Sequence, residues 1–194
     1  MKYQVIAAAL ALACGLARAE GPLIGIEFES EKNSGSGIRN RAVDIVPGWE
    51  FSDKNFINRV ELLIDRNEDA RADSDGVLAK GNKLFVRIRH DGEFNDTLGY
   101  YVRGGVGRSF DNQHGLNFAY VEPGIEYKLA QNWEWTLAIR ESNSIDGTAG
   151  QHVTQLRTGP ALDIDKHNEL EFLYTRGHGD EKLASWVLEY IHRF

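Results

Sequence analysis

Thiols, long apolar runs and net positive charge are what this chain lacks. Its single cysteine, Cys14, lies near the start of the sequence. The segment around it begins Met1-Lys2, continues as an apolar run from Val5 to Leu16 and ends at Ala17-Arg18-Ala19. A basic start, a hydrophobic stretch and an Ala-x-Ala site read as a secretory signal peptide, residues 1–19. The run is shorter than the roughly 20 apolar residues that a spanning helix requires. Lipoprotein processing at Cys14 is the alternative, but Ala11 stands where such signals carry Leu. Cleavage after Ala19 leaves residues 20–194 as one domain with no thiol, which needs no disulfide in an oxidising compartment. No later apolar run reaches membrane-helix length, and no segment repeats apolar residues with a 3.6 period over helical length. Bases are outnumbered: Lys+Arg 22 against Asp+Glu 29 gives −7, and loss of Lys2 and Arg18 takes the domain to −9. That balance argues against a nucleic-acid partner. The low mean hydropathy of −0.41 does not argue against a membrane. A barrel shows lipid only every second residue.

What the chain has in abundance is alternation. Period-2 segments fall near 22–30, 39–51, 55–66, 83–91, 97–109, 115–129, 132–142, 151–164, 167–176 and 183–194. The gaps between them alternate too. Short ones (Ser52 to Lys54, Gly92 to Asp96, Ala130-Gln131, Asp165-Lys166) are interleaved with longer ones (Glu31 to Gly37, Asn67 to Asn82, Phe110 to Gly115, Asn143 to Gly150, Gly177 to Lys182). Short turns on one side and long loops on the other are the habit of outer-membrane barrels, which in bacteria use an even number of strands from one chain. The expectation is a closed antiparallel up-and-down transmembrane β-barrel of ten strands. A weak repeat of about 38 residues, opened by Pro47-Gly48, Pro123-Gly124 and Gly159-Pro160, favours ten over eight or twelve. Proline cannot donate to a ladder, so these steps read as β-bulges. A bulge at Pro123 lets Phe118 and Tyr120 face lipid before it, with Ile125 and Tyr127 facing lipid after it.

The two faces differ in chemistry. One carries Ile24, Ile26, Phe28, Val43, Ile45, Leu62, Ile64, Leu137, Ile139 and Phe172, with aromatic girdles from Trp49, Tyr127, Trp133, Trp135 and Phe194 at one end and Tyr174 and Trp186 at the other. Rings at both water boundaries fit a membrane barrel; the soluble alternative must bury Trp133 and Trp135 with all the rest in one small core. The other face is ionic. Candidate lumen-lining residues are Arg59, Arg87, Arg89, Arg103, Arg140, Arg157 and Arg193, with Glu61, Glu122, Glu134, Glu171 and Glu189. Charges in such number inside a barrel must pair or meet water.

The last strand, Trp186-Val187-Leu188-Glu189-Tyr190-Ile191-His192-Arg193-Phe194, resembles the C-terminal strand of bacterial outer-membrane β-barrels. That resemblance implies recognition by the barrel-assembly machinery and a place in the outer membrane, against its lipid and lipopolysaccharide. Arginines on consecutive strands facing acids across the lumen also resemble the oligogalacturonate-specific monomeric porin family, whose barrels have twelve strands. This implies passive uptake of small charged, acidic solutes through a narrow porin-like channel. A non-conducting structural or surface-interaction barrel is the alternative. An outer-membrane rim enzyme is the third reading. A lipid A deacylase-like site would need His-x-Ser, and the nearest match is His152-Val153-Thr154. An omptin-like site would need Asp and Asp–His pairs, and His178-Gly179-Asp180 and Asp111 with His114 do not match it. No enzyme, cofactor or metal is expected. Asp73-Ser74-Asp75-Gly76 resembles a fragment of a calcium loop, but Arg71 and Asn82 stand at ligand positions. Arg39 and Arg41 fall at the long-loop end in outward register, where lipid phosphates lie.

Overall fold

The computed structural model describes residues 18–33, 39–53, 56–69, 80–110, 116–146, 152–179 and 182–194. Among these residues there are ten strands: β1 (Arg18–Asn33), β2 (Arg39–Asp53), β3 (Phe56–Asp69), β4 (Lys80–Asn95), β5 (Leu98–Phe110), β6 (Leu116–Ala130), β7 (Trp133–Ser144), β8 (Val153–Asp163), β9 (Asn168–Gly179) and β10 (Leu183–Arg193). Each pairs antiparallel with its chain neighbours, and β1 closes on β10 from Leu23↔Arg193 to Asn33↔Leu183. Closure leaves no free edge. The Phe194 N–H donates to the Pro22 carbonyl at 3.1 Å and ties the chain end to the first strand. Strands of 11 to 16 residues exceed the roughly 9–11 that cross hydrocarbon when tilted. The most of the expected signal segment, 1–17, lies outside the described residues, as does the acidic loop at 73–76. Arg18 and Ala19 pair with Ser52 and Phe51, and the register shifts before Gly21, where the regular ladder begins.

Alternation decides the walls. Ile45, Val43, Ile64, Trp135 and Ile139 turn outward, Ile45 at 51% exposure. A continuous apolar exterior of this kind has no aqueous solution and fits lipid. Two short turns are tied by side chains. Asn95 Oδ1 accepts from the N–H groups of Thr97 and Leu98 at 3.0 Å. Asp165 Oδ1 accepts from those of His167 at 2.8 Å and Asn168 at 3.0 Å. Both are Asx turns, in which a short polar side chain stands in for a backbone acceptor.

The prolines correct one expectation. No register shift occurs at Pro47, Pro123 or Pro160. Each stays in step with one neighbour, as Ile24↔Pro47, Val102↔Pro123 and Trp135↔Pro160. On the other side the ladder skips a pair of residues and resumes in the same register, from Ile45↔Ile64 to Gly48↔Glu61, for example. The missing proline N–H is absorbed as a gap, so no parity change follows. Phe118 and Tyr120 therefore face inward, against the expectation. Phe118 packs edge-on against Phe85 with centroids 4.3 Å apart, and Arg140 lies 4.4 Å over the Tyr120 ring. Val121 takes the outward place instead.

Candidate functional site

The interior wall is divided by charge. Acids project from β9, β10, β1, β2 and β3 as Glu171, Glu189, Glu27, Asp44 and Glu61, all buried. The ladder sets like charges side by side, with Glu27↔Glu189, Glu27↔Asp44 and Glu189↔Glu171. Such neighbours repel unless a cation intervenes. It comes from the strand that borders this wall, β4, where Arg87 stands directly beside Glu61 in the ladder. Arg87 on β4 binds Glu61 at 2.5 Å, Glu27 at 3.0 Å and Glu189 at 2.5 Å. The facing wall of β5, β7 and β8 has the mirror arrangement. Glu122 on β6 accepts from Arg140 at 2.5 Å and Arg157 at 2.6 Å, and Arg103 approaches to 3.9 Å. The Tyr101 hydroxyl donates to the same carboxylate at 2.8 Å. One cation among three acids leaves a formal −2; one anion among three cations leaves +2. The two hubs therefore carry opposite charge across the barrel.

Glycine makes room for this belt. A Cβ on Gly124 would meet the Tyr101 ring at 2.4 Å, so the ring lies flat on the strand at that point. Tyr101 then stacks under Arg89 at 4.1 Å, a cation–π contact. Thr136 donates to Glu171 at 3.3 Å, and Arg157 reaches Thr175 at 3.4 Å. Glu122 is fully buried, and Arg87, Arg103, Arg157 and Glu189 are nearly so. Little of their surface is open to solvent.

Towards the short turns the barrel opens. A cavity of about 1520 Å³ is lined by Glu50, Arg59, Arg89, Glu134, Glu169 and Arg193 among others. Its floor is a second ionic layer. Arg59 binds Glu50 at 2.8 Å and Glu169 at 3.4 Å. Arg193 binds Glu50 at 3.1 Å and also pairs with Glu169. Arg89 binds Asp91 at 2.6 Å and pairs with Glu126. Nearer the mouth, Lys128 binds Glu93 at 2.7 Å.

The candidates read from the sequence thus fall into two groups. Arg87, Arg103, Arg140, Arg157, Glu61, Glu122, Glu171 and Glu189 form the closed belt; Arg59, Arg89, Arg193 and Glu134 line the cavity below it. Tyr101, Thr136 and Thr175 complete the belt and were not singled out from the sequence; Tyr120, expected to face lipid, joins them. The alternation that turns Tyr100 and Val102 away is the signal that turns Tyr101 in. On the exterior, Trp49, Tyr127, Trp133, Trp135 and Phe194 are exposed near the short turns, with Trp186 exposed near the other end. Tyr174 packs on Trp186 with centroids 4.6 Å apart.

The rim holds one further constellation. His152 Nε2 lies 2.9 Å from Glu141, and the Thr154 hydroxyl donates to the same carboxylate at 2.8 Å. A hydroxyl nucleophile needs its proton on a base such as imidazole; here the Thr154 proton points at Glu141. His178 stands at the long-loop end of β9, while Asp111, His114 and Asp180 lie outside the described residues. Among the described residues, no group of three or more His, Cys, Asp or Glu is placed to hold a metal ion.

No family model and no curated sequence matches the chain. Solved structures do. The NanC porin aligns with a TM-score of 0.55 at 8% identity, over 87% of this chain and 99% of that one. The KdgM porin, solved in complex with disordered oligogalacturonate, aligns at 0.52 and 9% identity, over 88% and 99%. The β domain of the Bordetella autotransporter BrkA aligns at 0.54 and 12% identity, over 90% and 99%. At these identities the likeness is one of fold: the chain has the architecture of small outer-membrane porins and related barrels.

Proposed function

We propose that the protein is a porin-like barrel of the bacterial outer membrane that passes small charged solutes through a narrow ionic constriction. The observation that carries this reading is the chemistry of the belt. A barrel meant only to be filled could use apolar side chains, since a buried ion pair often stabilises no more than well-packed hydrophobic groups of the same size. This chain instead keeps arginines and acids at mid-height, with a wide ionic cavity leading to them. Arginines along one wall and acids along the other make a transverse field that would orient a charged solute and replace part of its water. The short-turn end, where β1 begins and β10 ends, is assigned to the periplasm. Binding of the C-terminal strand ending in Phe194 by the barrel-assembly machinery, and removal of residues 1–19, belong to the same reading.

A second reading has an observation of its own. The belt side chains are almost fully buried against one another, which favours a barrel closed at mid-height with a structural or surface role. Planar-bilayer recording of the refolded protein separates the two. A channel gives discrete current steps, and Arg103→Gln with Arg140→Gln lowers its anion preference, read from the reversal potential in a salt gradient. Absence of steps at every voltage and salt concentration ends the channel reading. Unchanged reversal potentials would remove the two arginines from it.

A further inference from the structure

The ladder registers align the outward residues of β2, β1, β10 and β9 in rows across the seam where the barrel closes. One row is Val43, Phe28, Leu188 and Phe172. The next towards the long loops is Arg41, Ser30, Trp186 and Tyr174, and the next Lys32, Ala184 and Arg176. Ser30 is the small member of its row. Between Arg41 and Trp186 it leaves a notch of about 330 Å³, floored by Phe28, Val43 and Leu188. Phe172 and Tyr174 pack on Trp186 with centroids 5.1 and 4.6 Å away, so the aromatic wall is fixed. Arg41 borders the notch, and Lys32 and Arg176 are exposed in the row above it. Three acids lie nearby. Glu29 is among the residues lining the notch, although both it and Glu31 take the inward parity of β1. The ladder sets Glu68 of β3 beside Arg41. The seam still carries three cations, Arg41, Lys32 and Arg176, around a hydrophobic notch.

Such a surface fits an amphiphile whose acyl chain fills the notch and whose headgroup meets the cations. Four strands at roughly 4.8 Å spacing put the ends of the cation cluster, Arg41 on β2 and Arg176 on β9, about 14 Å apart across the seam. One phosphodiester cannot reach both ends, whereas a disaccharide with a phosphate at each end can. We propose that this seam is a binding site for the lipid A part of lipopolysaccharide. It rests on the membrane placement above, since the long-loop end must then face the outer leaflet, where that lipid lies. Arginine suits the task because its guanidinium binds phosphate oxygens in pairs.

The test is native mass spectrometry of the full barrel in detergent, incubated with purified lipid A or with phosphatidylglycerol at equal concentration. The wild type is expected to retain lipid A about tenfold better than phosphatidylglycerol. The variant Lys32→Gln, Arg41→Gln, Arg176→Gln is expected to lose lipid A by about tenfold or more, since each charge-assisted contact is typically worth about a factor of ten. Arg108→Gln, an exposed cation on β5 elsewhere on the barrel, leaves retention unchanged. Ser30→Phe keeps every charge and fills the notch; it too is expected to lose lipid A, and it carries the test if the triple variant fails to fold. Equal retention of both lipids by the wild type overturns the proposal, as does full retention by the triple variant or by Ser30→Phe. A barrel that inserts in vesicles but retains no lipid A refutes this site alone; one that does not insert refutes the membrane placement.

Discussion

Arg87 shows how much one residue holds in this barrel. It binds Glu27, Glu189 and Glu61, three acids drawn from β1, β10 and β3. Replacing it with Met leaves those carboxylates facing one another in a buried space. Breaking a buried ion pair from one side typically costs about 3–5 kcal/mol, and Arg87→Met is expected to lose that much, read as a fall in the urea midpoint of the refolded barrel. An unchanged midpoint would show that water enters the belt and solvates the acids. Glu122→Gln makes the opposite defect, with Arg103, Arg140 and Arg157 left to repel. A comparable loss there would show that the two hubs are equivalent. Gly159 is a different kind of residue-scale constraint. A Cβ on it would come 1.9 Å from the Phe172 carbonyl oxygen, a backbone atom that cannot swing aside. Gly159→Ala should therefore lower the yield of folded barrel, whereas Gly104→Ala, whose Cβ would meet nothing closer than 3.7 Å, should not.

Among the elements, the short turns carry a pH dependence that can be given a sign. The Asp165 carboxyl is held below its usual value of 3.8, first by the His167 N–H and then by the Asn168 side chain. A lowered folded value means that the turn is supported while the carboxylate is ionised, and that this support fades as pH falls through the acid range. Amide exchange at His167 and Asn168 should therefore quicken, relative to the rest of β9, below about pH 4, and Asp165→Ala should show the quick exchange already at neutral pH. The proline gaps belong to this scale as well. A strand that omits pairs on one side at Pro47, Pro123 or Pro160 keeps its register because the other side stays in step. Pro123→Val restores an N–H without moving any side chain to the other face, and is expected to leave folding yield unchanged.

For the whole molecule the questions are placement and passage. Closure of β1 on β10 runs through the chain end, where Phe194 bonds Pro22. Deleting Phe194 in cells should reduce the assembled, heat-modifiable form, while the same truncated chain still refolds in detergent; equal loss in both would make Phe194 a matter of stability and not of delivery. Passage depends on the belt. The wide cavity reaches its floor from the short-turn end only as far as Arg59, Arg89 and Arg193, so the belt sets the resistance of any current that the barrel carries.

Alternation by itself determined the class of fold, the ten strands, their order and most of the outward-facing residues, because a period of two leaves each residue only one of two walls. It also placed the arginines and acids inside. Tertiary structure alone decided three things. It showed that the prolines make gaps and not bulges, since a missing N–H is felt by one neighbouring strand and the sequence does not say which. That result turned Phe118 and Tyr120 inward. It showed which charge meets which: Arg87 and Glu189 are far apart in the chain and meet across the lumen, a pairing that depends on barrel width and strand register. And it brought Lys32, Arg41 and Arg176 to one seam, because only closure makes the first strand a neighbour of the last.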